Sequence, residues 1–143
     1  MRQNLGKTSA KLLDAASAAN ALPVGAVGVA LSSFTDGAMH VKQWLVTVKC
    51  VGTGTFDVAL WGLTRASGGA IWGAHCLPGG PPDGKLTAAV MTGVGGSGRS
   101  WHFVVADLGI YASLYAQLLN VTGVVAVDVT VSEILHNSAE RGD

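Results

Sequence analysis

Charge is scarce in this sequence. Asp, Glu, Lys and Arg make up 13% of its 143 residues, about half the usual quarter. The nine basic and nine acidic side chains cancel, so no net field steers the chain toward nucleic acid or an acidic membrane. No uninterrupted apolar run reaches the roughly 18 residues that a membrane-spanning helix needs. The polar, basic segment 1–11 is not followed by the apolar core of a secretory signal, and the expectation is a chain made in a cytoplasm. Cysteine is limited to Cys50 and Cys76. In a reducing compartment two thiols act as small buried hydrophobes, and a bridge between them is the lesser reading.

What is abundant is apolar surface, at 49% of residues, and glycine, at 20. One domain of this length can bury a core without staples. With so few charges to cover its outside, part of that outside is expected to lie against identical copies or partners.

The clearest pattern is period-two alternation, which puts one side of a strand in the core and the other outside. Trp44, Val46, Val48 and Cys50 alternate with Leu45, Thr47, Lys49 and Val51. After Gly52-Thr53-Gly54, Phe56, Val58 and Leu60 alternate with Asp57, Ala59 and Trp61. Leu114, Ala116 and Leu118 oppose Tyr111, Tyr115 and Gln117, and Val125, Val127, Val129 and Val131 oppose Asp128, Thr130 and Ser132. The last two segments, meeting at Asn120-Val121-Thr122-Gly123, predict a β-hairpin. Further strands are expected over 24–34, from Ala70-Ile71-Trp72, over 86–91 and over 101–105, with turns at Thr35-Asp36-Gly37 and Ser67-Gly68-Gly69. The segment 77–85 carries three of the four prolines and three glycines, which predicts a surface loop open to contact or function. About eight short strands with glycine-rich turns predict an all-β fold, a β-sandwich or jelly roll.

Residues 1–23 read differently. The alanine-rich stretch suits either a short helix over 9–20 or an extended arm on a neighbouring subunit, and Pro23 ends it. The expected organisation is therefore an arm at 1–23, dispensable for folding, a sandwich at 24–135 and a flexible tail at 136–143.

Several motifs imitate chemistry. The run Gly93-Val94-Gly95-Gly96-Ser97-Gly98-Arg99-Ser100 nearly spells a phosphate-binding loop, with Arg99 in place of lysine. Val124 to Asp128 imitates the strand whose terminal acid holds magnesium. A phosphate loop must open a helix, and Trp101-His102-Phe103-Val104-Val105 reads as strand, so a hairpin loop is expected instead. Arg141-Gly142-Asp143 spells an adhesive tripeptide that chance also supplies. Asn120-Val121-Thr122 fits a glycosylation acceptor and reads as a turn. The histidines at 40, 75, 102 and 136 lack paired ligand spacing, and His75-Cys76 has no companion cluster for a metal. No nucleophile–histidine–acid order or carboxylate pair stands out, and the acids read as singly placed in turns and outward strand positions. No catalytic, cofactor-binding or metal residue is therefore assigned. Trp44, Trp61, Trp72 and Trp101 suit sugar stacking or, more often in sandwiches, core and interface anchoring.

Three stretches together resemble small β-sandwich structural proteins of tailed bacteriophages, of the head-decoration type. They are Leu12-Leu13-Asp14-Ala15-Ala16-Ser17, the run from Trp44 through Gly52-Thr53-Gly54 to Gly62, and Tyr111 to Val131. The resemblance implies a jelly-roll or sandwich fold, a homo-oligomer with a trimer favoured, a place in the virion, and no catalysis. Its implied partners are copies of itself and the major capsid protein or another virion protein, with no cofactor, nucleic acid or membrane. Alternatives are a tail, neck or fibre component, or a carbohydrate-binding module.

Overall fold

The computed structural model describes residues 3–25, 27–31, 43–64, 71–75, 85–86, 99–106 and 108–136. Within them lie nine strands: β1 (Gln3–Ala16), β2 (Val29–Ala30), β3 (Gln43–Val51), β4 (Thr55–Thr64), β5 (Trp72–His75), β6 (Lys85–Leu86), β7 (Arg99–Ala106), β8 (Tyr111–Thr122) and β9 (Ala126–His136). A 3₁₀ turn, Leu108–Ile110, leads into β8. The all-β expectation holds.

The strands form two antiparallel sheets. The first, sheet A, has the order β1-β9-β3-β7; the second, sheet B, has the order β2-β8-β4-β5, with β6 also paired to β4. Setting β6 aside, the first strand pairs with the last (β1–β9), the second with the next to last (β2–β8), β3 with β7, and β4 with β5. This is one long hairpin folded over on itself, and the β3–β9 and β4–β8 ladders hold the fold closed. That winding is the jelly roll.

Alternation explains why the layers adhere. Trp44, Val46, Val48 and Cys50 of β3 and Val127, Val129 and Val131 of β9 face Phe56, Val58 and Leu60 of β4 and Leu114, Ala116 and Leu118 of β8, all within one buried cluster. Burial also pushes the Cys50 thiol pKa up, opposed by a hydrogen bond from the Ala126 backbone.

The final two strands do not form the expected hairpin. β8 lies in sheet B and β9 in sheet A, so 123–125 is an arch that crosses between layers. Alternation cannot distinguish these outcomes, because either places both valine and leucine faces on the core. The β3–β4 connection at 52–54 is a second arch, also crossing from one sheet to the other. The two arches touch where the Gly54 N–H donates to the Val124 carbonyl at 2.9 Å. Gly52 adopts φ +115, and a Cβ there would collide with the Val124 carbonyl oxygen. Asn120-Val121-Thr122 is accordingly the end of β8 and no turn. Asn120 sits at a bulge with φ 51, its amide donating to Asp57 at 2.6 Å.

The leader also departs from expectation. Residues 3–16 form β1, extended as one of the two expectations had it, but paired with β9 of its own chain as a strand of the sandwich, where a short helix over 9–20 or an arm on a neighbouring subunit was expected. Three register shifts interrupt its ladder, and these bulges hide the period of two. One falls between Lys11 and Leu13, so Leu12 and Leu13 both pack on the core along with Ala10 and Ala16. Of the strand expected over 24–34, residues 24, 25 and 27–31 hold only the two-residue β2, and 26 and 32–34 lie outside the described residues.

Two side chains face the core unexpectedly. An extra residue in β8 opposite Leu63 and Thr64 turns Tyr111 inward, where its ring occupies the space that a side chain on Gly62 would need. Glu133 continues the inward parity of the β9 valines and is fully buried opposite Trp44, contrary to the expected outward placement of every acid. Of the tail expected at 136–143, His136 is the last residue of β9; the rest of it, the turns at 35–37 and 67–69, the loop at 77–84 and strand residues 87–91 lie outside the described residues.

Candidate interaction surface

After Ala16 the chain leaves sheet A, passes through Ser17, Ala18 and Ala19, all exposed, and reaches β8 in sheet B at Asn20. Asn20 is the fastening point. Its backbone N–H donates to the Leu118 carbonyl at 3.1 Å, and its Oδ1 accepts the Leu118 N–H at 2.6 Å. Its Nδ2 donates to the Ala116 carbonyl at 3.1 Å and to the Tyr115 hydroxyl at 2.9 Å. The Tyr115 hydroxyl in turn donates to the Ala21 carbonyl at 2.8 Å. One side chain thus imitates a strand residue and gives the chain a second hold on β8.

Residues 20–25 and 27–28 form a strap fixed to sheet B on the side away from the core. Gln117, Tyr115 and Trp61 have the parity opposite to the core residues of β8 and β4. The Trp61 indole N–H donates to Gln117 Oε1 at 3.1 Å, and Gln117 Nε2 reaches the Asn20 carbonyl at 3.5 Å. Trp72 donates its indole N–H to the Gly25 carbonyl at 3.2 Å and meets Tyr115 edge to face at 6.1 Å between centroids. With Asn20 and the Ala21 and Gly25 carbonyls bonded to sheet B, the strap leaves apolar side chains in solvent: Leu22 is 59% exposed, Val24 71% and Val27 40%, and next to Trp72 in sequence, Ile71 is 68% exposed. Pro23 is buried.

The outer side of sheet A carries polar groups together with Val104 of β7, which is 53% exposed. Thr47 Oγ1 and His102 Nδ1 lie 3.1 Å apart. Lys11 pairs with Asp14 at 3.1 Å and with Asp128 at 4.0 Å, and its ammonium is held above the usual lysine range by Asp14 first and Asp128 second. Exposed pairs of this kind contribute little to stability. Asp128 Oδ1 also accepts the Ala15 N–H at 2.7 Å, at the β1 bulge where Ala15 has φ 49.

The four tryptophans are divided between these layers. Trp44 is wholly buried, Trp101 packs on the core and meets Phe56 edge to face, and Trp61 and Trp72 each turn the indole N–H onto their own chain. Of the histidines, His75 Nδ1 meets the Tyr111 hydroxyl at 2.9 Å, and His102 is exposed on β7. His40, Cys76, the residues 93–98 and Arg141-Gly142-Asp143 lie outside the described residues. Arg99 and Ser100 open strand β7, which continues to Ala106, so the residues after the glycine run form a strand where a phosphate loop requires a helix. Among the described residues no group of three His, Cys, Asp or Glu side chains is placed to hold a metal ion.

Sequence reasoning missed Asn20 altogether. Its signal was faint: one polar residue inside Ala18-Ala19-Asn20-Ala21-Leu22-Pro23. No family model matches the chain, and no curated protein or solved structure matches it either.

Proposed function

We propose that this chain is a non-catalytic virion structural protein of a tailed bacteriophage, with capsid decoration or cementing as its role. The observation that carries the reading is the apolar strap. Leu22, Val24 and Val27 are held outward by hydrogen bonds beneath them, in a chain with only 13% charged residues. Burying such side chains against copies of the chain and the shell contributes about 25 cal/mol per Å² of apolar area, before the association penalty. The jelly-roll winding supports the reading at the level of architecture, since that fold serves capsid and lectin domains alike. Sugar stacking is less well supported, because Trp44 is wholly buried, Trp101 packs on the core against Phe56 and Trp72 already meets the Tyr115 ring.

Antibody raised against the chain, applied to purified particles from the phage that encodes it, tests the proposal. Many copies distributed over the head support decoration. Label confined to the tail or neck supports the other virion role, and unlabelled particles with signal on a glycan array overturn the virion reading.

A further inference from the structure

We propose that β1 is exchangeable between copies of this chain, the β1 of one copy occupying the β9 edge of another about a hinge at Ser17–Ala19. The inference rests on the self-association just proposed and specifies how it occurs.

Three observations carry it. First, β1 ends its sheet, and among the described residues its only ladder is with β9. Moving it leaves the β9–β3 and β3–β7 ladders whole. Second, the site it fills is matched to its own sequence. Ala10, Leu12, Leu13 and Ala16 pack on the core, three register shifts set the ladder, and Asp128 accepts the bulged Ala15 N–H at 2.7 Å. A foreign strand would not reproduce these bulges, whereas the β1 of a second copy reproduces all of them. Third, the hinge is short and lies between two fixed points, Ala16 on β9 and Asn20 on β8. Stacked sheets lie about 10 Å apart, and the four Cα steps from residue 16 to residue 20 reach about 14 Å at most. Closure within one chain therefore has little slack. In the exchanged form the strap stays on β8 and only three exposed residues change conformation. Each copy keeps its native contacts, so concentration governs the balance, and the exchange closes reciprocally between two copies or head to tail around a ring of three, the trimer favoured above.

Ser9 and Ser132 are direct partners across the β1–β9 ladder, which gives the test. Full-length protein carrying Ser9→Cys and Ser132→Cys is oxidised at several concentrations, separated by gel filtration and run on a non-reducing denaturing gel. The unsubstituted chain, with Cys50 and Cys76, runs beside it. The expected result is covalently joined chains in the oligomer fraction and single chains in the monomer fraction. An oligomer fraction that resolves into single chains overturns exchange and leaves association through the strap standing. Absence of any oligomer overturns both. A second variant guards against misfolding of the first: deleting Ala18 and Ala19 leaves two Cα steps, about 7 Å of reach, less than the gap between sheets. It should be an obligate oligomer, and a folded monomer would count against the exchange.

Discussion

Gly52 and Asn20 do at single positions what most of the chain does by repetition. Gly52 holds φ +115 where two arches meet, and a Cβ would lie 3.0 Å from the Val124 carbonyl carbon and closer still to its oxygen. Because the obstacle is backbone, it cannot rotate aside. Gly52→Ala should therefore cost about 3 kcal/mol from dihedral strain and displacement together, against a total of roughly 5–15 kcal/mol. Thermal denaturation should show a melting temperature lower by on the order of 10 °C; an unchanged value would mean the arches do not stack. Asn20 is different, since its energy lies in hydrogen bonds to Leu118, Ala116 and Tyr115. Asn20→Ala leaves the Leu118 N–H without its 2.6 Å acceptor and should cost about 1–3 kcal/mol. Limited proteolysis should then cut first within 21–28, while the wild type resists there.

At the scale of elements, β1 changes what truncation is expected to do. Removing residues 1–16 uncovers the β9 edge and the core beneath Leu12 and Leu13. Two partly buried leucines at about 1–2 kcal/mol each, with part of a ladder, amount to roughly 3–6 kcal/mol. The truncated chain should lose its cooperative melting transition or melt far lower, and a truncation that melts like the parent would return β1 to the role of a dispensable arm. The strands most legible beforehand, β3 and β4, keep an unbroken alternation on their core faces, the bulges of the β4–β8 ladder lying in β8. β1 was illegible because its bulges put Leu12 and Leu13 on the same side, and Ala15 and Ala16 suit helix by propensity alone. The arch at 123–125 was illegible for another reason: a reversal within a sheet and a crossing between sheets share one inward pattern. The strap was legible only as a non-strand, since its fastening depends on Tyr115 and Leu118, nearly a hundred residues away. By contrast, Arg99–Ala106 is the strand its aromatic and β-branched residues indicated. Without a helix N-terminus after Gly98 there are no aligned amides for a phosphate. Calorimetric titration with ATP or GTP and magnesium should give no binding heat up to millimolar nucleotide, and a saturable micromolar isotherm abolished by Arg99→Ala would reverse that conclusion.

For the molecule as a whole the question is what covers its apolar exterior. Leu22, Val24 and Val27 protrude from a strap that is itself well fastened, so their exposure is a property of the folded chain and not of a frayed end. Changing the first two to lysine should hardly affect the monomer, because substitutions at such exposed positions usually stay within about 0.5 kcal/mol. In an assembly the same lysines would be buried against apolar surface, with a desolvation penalty and mutual repulsion between copies. Sedimentation at micromolar concentration should show the wild-type chain as a multimer, with a trimer as the preferred state. The Leu22→Lys/Val24→Lys protein should sediment as a smaller species while keeping its melting temperature within a few degrees. If both proteins sediment identically as multimers, the strap is not the contact and association runs through β1 exchange alone. If the wild type is a monomer throughout, the low charge content serves some purpose other than self-assembly, and the cementing role loses its physical basis.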